Sequence, residues 1–191
     1  MSANEGDARD YDGYSEEKRL SKVDLDPVKF PNATTLQDDA QLGRLKITTA
    51  FGDTDGDGDL DQIFGYGARS FSIWSTSGEL VYDSENFIAK KSLEIGSYTD
   101  KRSDDKGAEP EGVTTFTSNG KTYAAVGMER TGDVMIFDLS NPTSPVFVQV
   151  LANTSPEGLM IIPAEKSPTE RTILVVSNEY PDDATLNIYS K

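Results

Sequence analysis

Short β-branched or aromatic runs, each bounded by Gly, Asp, Asn or Pro, recur along the chain and predict strands rather than helices. A first set covers residues 45–51, 62–66, 70–75 and 79–83, with Thr76-Ser77-Gly78 as a tight hairpin turn between the last two. A second set covers 112–117, 122–128, 133–139 and 146–151, turning at Asn119-Gly120, at Thr131-Gly132 and at the Pro-bounded stretch 141–145. A third covers 158–162, 172–177 and 185–189. The segment 6–41 is polar and lacks sustained alternation, which predicts a long excursion with one short helical turn. Residues 85–93 predict a short helix capped by Ser84, and 96–108 a charged loop.

The second and third sets repeat each other. Pro110-Glu111-Gly112-Val113 returns as Pro156-Glu157-Gly158-Leu159, and Gly127-Met128-Glu129 returns as Ser177-Asn178-Glu179. A repeat of about 45 residues with four strands has the size of one propeller blade. Ala3-Asn4-Glu5 matches the second landmark, so the chain is expected to begin inside a blade whose first strand is missing. The expected fold is all-β, a partial β-propeller of about three four-stranded blades with a long N-terminal loop excursion. As one propeller domain it divides into a blade remnant and long loop (1–44), a blade carrying an acidic loop (45–84), a short helix and charged loop (85–109), a blade (110–151) and an incomplete blade (152–191).

Charge and composition narrow the chemistry. The 191 residues include 33 acidic and 18 basic ones, a formal charge of −15, which repels phosphate backbones and anionic headgroups. Nucleic acid is therefore not an expected partner, and the absence of a long apolar run or an apolar leader-like N-terminus argues against direct membrane insertion. There is no Cys and no His, so disulfides, thiolate nucleophiles, His general bases and His- or Cys-ligated metals are excluded within this chain. Any metal it holds must accept oxygen ligands. Trp74 alternates with Ser in a predicted strand and is expected in the core. The triplets Asn32-Ala33-Thr34 and Asn153-Thr154-Ser155 fit the glycosylation acceptor pattern but are common by chance.

Against that background the run Asp53-Thr54-Asp55-Gly56-Asp57-Gly58-Asp59-Leu60-Asp61 is the sharpest signal. Carboxylates at alternate positions, with Gly letting the backbone curl, wrap a hard cation in six to eight oxygens, a coordination that suits Ca²⁺. Asp53, Asp55, Asp57 and Asp61 would supply side chains and Asp59 its backbone carbonyl. The twelfth position, where an EF-hand needs Glu, is Phe64, and both flanks predict strands rather than helices. The nine-residue form resembles the Ca²⁺ loop of FG-GAP propeller repeats. Without a metal it would be an Asp/Gly-rich hairpin turn whose five carboxylates repel one another.

The second signal is the set of glutamates fixed to the repeat: Glu111 and Glu157 at the start of a first strand, and Glu5, Glu129 and Glu179 at the end of a second. In a propeller, first strands line the central channel, so Asn4, Glu5, Glu111, Glu129, Glu157, Asn178 and Glu179 are expected to converge there. Convergent carboxylates hold a metal or act as acid and base, with Glu111 and Glu157 the candidate catalytic pair. The structural alternative is that each Glu pairs with a neighbouring blade or with Arg9, Arg102 or Arg130.

Taken together, the segments 4–17, 42–45, 53–61, 69–74, 102–113 and 156–159 resemble the choice-of-anchor I family, which includes mesenchyme-specific cell-surface glycoproteins of biomineralising cells. The resemblance implies an extracellular or surface-anchored propeller, longer than this chain, which corresponds to its C-terminal part. The loop between Phe87 and Arg102 is shorter here than is usual in the family. The function expected on these grounds is a Ca²⁺-binding, non-catalytic adhesion module meeting a surface protein, glycan or mineral, with the remaining blades or a second copy closing the propeller. The alternative is a metal-dependent hydrolase of phosphoesterase or lactonase type using the channel carboxylates.

Overall fold

The computed structural model describes residues 1–67, 69–179 and 184–190. In chain order the strands are β1 (Ser2–Asn4), β2 (Asp10–Tyr11), β3 (Tyr14–Ser15), β4 (Glu17–Arg19), β5 (Lys46–Thr48), β6 (Ser70–Trp74) and β7 (Leu80–Asp83). They continue with β8 (Pro110–Ser118), β9 (Lys121–Met128), β10 (Asp133–Asp138), β11 (Val146–Ala152), β12 (Pro156–Ile162), β13 (Ile173–Asn178) and β14 (Thr185–Ser190). Among the described residues two α-helices interrupt them, α1 (Ala33–Leu36) and α2 (Phe87–Ile95). The fold is all-β and propeller-like, built from small antiparallel sheets.

The chain forms two compact units. The first comprises residues 1–5, 68–99 and 107–191, and the second 6–67 and 100–106. In the first unit three successive sheets run in the orders β1-β6-β7, β11-β10-β9-β8 and β12-β13-β14. Strands from the second repeat onward sit where the alternating pattern put them, because their residues are bounded by turns that the chain cannot continue through. Asn119 and the glycines Gly120 and Gly132, for example, adopt positive φ at the hairpin ends.

The first sheet differs from expectation. The four strands predicted between 45 and 83 do not share a ladder. β6 pairs with β1, Asn4 opposite Ser70, and with β7 on its other side, whereas β5 pairs with β4 in the second unit. Residues 62–66 form no strand, contributing one isolated bridge from Gly65 to Ile47. Strand propensity marks a run as extended without naming its partner, and here the partner lies more than sixty residues upstream. In the second sheet, Met128 pairs with Asp133 across the four-residue turn 129–132. Asn4 and Ser70 are the equivalent pair, so residues 5–69 occupy the place of that turn. The β1-β6-β7 sheet therefore corresponds to the last three strands of a blade, with most of the second unit inserted between two of them.

Two apolar cores hold the first unit. One gathers Phe71, Ile73, Ile88, Ala108, Val126, Met128, Met135 and Phe137, with Phe71 and Phe137 ring centroids 4.7 Å apart. The other joins Ala125, Val134 and Ile136 to Leu174 and Val176. Each fully buried apolar side chain of this size contributes about 1.5–3 kcal/mol. The second unit has its own core of Leu20, Leu25, Ile47 and Leu60.

Two local expectations are corrected. Trp74 lies at the end of β6 and is 46% exposed, its Nε1 donating to Ser2 Oγ at 2.9 Å, because the inward positions of this strand are taken by Phe71 and Ile73. Ser84 does not cap a helix: its Oγ accepts from the Phe71 backbone N–H, while α2 starts after Asn86 and ends on Gly96 in the left-handed conformation.

Candidate functional site

The acidic loop 53–61 belongs to the second unit and is folded on its own carboxylates. Asp53 accepts the Gly56 N–H at 2.6 Å on one oxygen and the Gly58 N–H at 3.1 Å on the other. Asp55 and Asp57 accept the N–H two residues on, from Asp57 and Asp59. These turns need the backbone at φ +83° at Gly56 and +101° at Gly58, a region that costs Gly nothing. Asp61 anchors the end of the loop, accepting the Thr54 N–H at 2.7 Å and its hydroxyl at 2.6 Å, which lowers its pKa.

Within this frame, carboxylate oxygens of Asp53, Asp55 and Asp57 lie within 4.8 Å of one another, all three residues exposed. A second group joins Asp59 and Asp61 to Asp26. Asp26 carried no sequence signal. It arrives because Leu25 bridges to Leu60 in parallel, with Asp26 N–H on Leu60 C=O at 3.1 Å and Leu60 N–H on Asp24 C=O at 3.0 Å. Partial burial, reinforced by Asp57, Asp26, Asp61 and Asp55, raises the pKa of Asp59. The side chain of Asp59, and not only its carbonyl, thus belongs to the acidic surroundings. Two ligands of one Ca²⁺ ion stand at most about 5 Å apart, so each trio has the spacing and the all-oxygen donors that this ion takes.

The repeat glutamates lie in the first unit, and backbone geometry explains their direction. β8 and β12 each contain a register shift, between Pro110 and Gly112 and between Pro156 and Gly158. Glu111 and Glu157 are the extra residues of these two bulges, and a bulge re-aims a side chain away from the regular alternation. The residue before each proline, Glu109 or Ser155, is held at positive φ, +59° and +43°. Each gives its carbonyl to the glutamate that ends the next strand, Glu129 N–H to Glu109 C=O at 2.9 Å and Glu179 N–H to Ser155 C=O at 3.2 Å. One backbone device is therefore built twice.

Its product is a cluster in which carboxylate oxygens of Glu111, Glu129 and Glu157 lie within 4.8 Å of one another. Glu129 is 4% exposed. Burial first, and then the charges of Glu109 and Glu111, push its carboxyl up to about 7 against the opposing pull of Arg130. Glu157 is raised by burial and by its hydrogen bond to Glu179. Arg130 pairs with Glu129 and, at 3.0 Å, with the buried Glu109, a neighbour of Glu129 that sequence reasoning had passed over. Glu179 is exposed at the end of β13, next to Glu157. Glu5 follows β1 and is half-buried, outside the trio. Asn4 donates its Nδ2 to Ser70, Ser72 and Asp83 in the β1-β6-β7 sheet. Asn178 is 2% exposed and donates its Nδ2 to Thr185 Oγ1 at 3.1 Å.

The all-β fold with its acidic loops defines a class of propeller-type modules, and among the described residues no helix is long and apolar enough to cross a membrane. Within it, the chain belongs to the choice-of-anchor I domain family, whose profile matches residues 1–142. A curated relative, Gigasin-3a of Magallana gigas, is 28% identical, with 81% of this chain aligned to 66% of the relative's length. The chain thus spans slightly less than two thirds of the curated relative it matches. No solved structure matches it.

Proposed function

We propose that this chain is a Ca²⁺-stabilised, non-catalytic module of an extracellular or cell-surface propeller, and that it presents a face to a protein, glycan or mineral partner. The observation that carries the reading is the 53–61 loop, in which Asp53, Asp55 and Asp57 converge while backbone N–H groups already brace them. Five carboxylates in nine residues repel one another, and a divalent cation relieves that repulsion more completely than the braces do. Asp26, Asp59 and Asp61 extend the oxygen set on the other side of the loop. The metal's role is to fix a long excursion whose own core is small.

Melting temperature with and without Ca²⁺, in the intact chain and in Asp55→Ala/Asp57→Ala, tests the loop. Ca²⁺ should raise the midpoint of the intact chain, by about 2.7 kcal/mol of stability at roughly a hundredfold excess over the dissociation constant. The double variant should lose that rise. An equal rise in both, or none in either, removes the loop from the account.

A further inference from the structure

We propose that Glu111, Glu129 and Glu157, together with the amide oxygen of Asn178, form another binding site for one hard divalent cation, built from residues other than those of the 53–61 loop. The acidic trio alone would be a weak basis. The amide of Asn178 adds an independent observation. Its side chain is almost wholly buried, its Nδ2 is used by Thr185, and its Oδ1 has no hydrogen-bond donor among the described residues. A buried amide oxygen left without a partner is destabilising, and a cation at that position would offset the loss.

The placement of that side chain follows from the strand. Asn178 shares a face of β13 with Val176 and Leu174, and those two pack against Ala125, Val134 and Ile136. That face looks toward the sheet that carries Glu129. Within the β12-β13-β14 sheet, Thr185 stands on one side of Asn178 and Pro156 on the other. Pro156 immediately precedes the bulged Glu157, so the Asn178 side chain stands beside the start of β12.

The repeat supplies an internal control. Asn4 is the equivalent residue, two positions after Ser2, and its Nδ2 makes the equivalent bond, to Ser70 Oγ at 3.0 Å. There the amide oxygen is satisfied by Ser2 Oγ at 2.8 Å. At Asn178 the position of Ser2 is taken by Val176, whose side chain has nothing to donate, and the oxygen is left without a donor among the described residues. Three carboxylates and one neutral oxygen make a hard, oxygen-only donor set, and the carboxylate spacing lies within the reach of one Ca²⁺ or Mn²⁺ ion. Arg130 neutralises only part of the charge, since it faces both Glu109 and Glu129.

The test uses the whole chain with both acidic groups of the loop disabled by Asp53→Asn, Asp55→Asn, Asp57→Asn and Asp59→Asn, none of which belongs to an apolar core. Mn²⁺ is titrated and followed by electron paramagnetic resonance and calorimetry. The loop-disabled chain should still bind a single Mn²⁺. Adding Glu111→Gln and Glu157→Gln should abolish that binding, and adding Asn178→Ala instead should weaken it by roughly ten- to a hundredfold. A folded loop-disabled chain that binds no Mn²⁺ overturns the proposal, as does binding that survives Glu111→Gln/Glu157→Gln. Should the double Gln variant fail to fold, Asn178→Asp decides: a new carboxylate in a real site tightens binding, and unchanged affinity overturns it. The loop reading fails separately, by showing no Ca²⁺ response that the loop variant removes.

Discussion

Glu16 shows how much a single buried carboxylate can be made to depend on its neighbours. Its oxygens accept from the Arg9 guanidinium at 2.7 and 3.2 Å, from the Arg9 N–H at 2.8 Å and from Thr48 Oγ1 at 3.2 Å. These bonds, Arg9's first, lower its pKa from 4.5 to about 2. A group whose pKa falls on folding stabilises the native state above its unfolded value and loses that contribution as the pH drops toward the folded value. The melting temperature should therefore decline between about pH 4.5 and 2, and Glu16→Gln should flatten that part of the profile. An unchanged acid limb would show that the Arg9 pair contributes nothing. Gly158 makes a steric point at the same scale. A Cβ there would stand 2.5 Å from Ser177 Oγ, the atom that accepts the Gly158 N–H at 3.0 Å. Gly158→Ala should cost roughly 1–3 kcal/mol, read by chemical denaturation, with Gly65→Ala, whose Cβ would meet nothing closer than 4.0 Å, as the comparison.

Among elements, the Pro-Glu-Gly start of β8 and β12 matters most. Sequence showed the motif twice but not what it does, because a bulge is a property of two strands in register. Only the pairing reveals that Glu111 and Glu157 are extra residues, one in each strand. The aromatic packing of Phe71, Phe87, Phe137 and Phe147 joins β6, α2, β10 and β11. Phe137 is 1% exposed, so Phe137→Ala should destabilise by about 3–5 kcal/mol without altering metal binding in the variants that still fold.

At the scale of the whole molecule, residues 5–69 replace a turn that takes four residues in the neighbouring sheet. The cores of the two units draw on separate sets of residues. Replacing 5–69 by the turn 129–132 should therefore leave a β-rich, cooperatively melting chain that has lost the Ca²⁺ response of the loop. Loss of cooperative melting would show that the inserted segment is required for the sheets to form. A charge of −15 on 191 residues also predicts a melting temperature that rises with added monovalent salt, since screening weakens self-repulsion over a distance of about 10 Å.

The chain's own residues determined the strands of the two later repeats, the acidic loop, and the rule that any metal must be held by oxygen, because periodicity, turn residues and the lack of His and Cys are local or compositional facts. The family too was legible in its ordered motifs. Tertiary structure alone decided the partner of β6, since the choice of partner is settled by core packing across a long insertion. It also brought Asp26 beside Asp59 and Asp61, and turned Glu111 and Glu157 onto Glu129. Those placements arise from register shifts and long-range hydrogen bonds, which leave no periodic trace in the sequence that makes them.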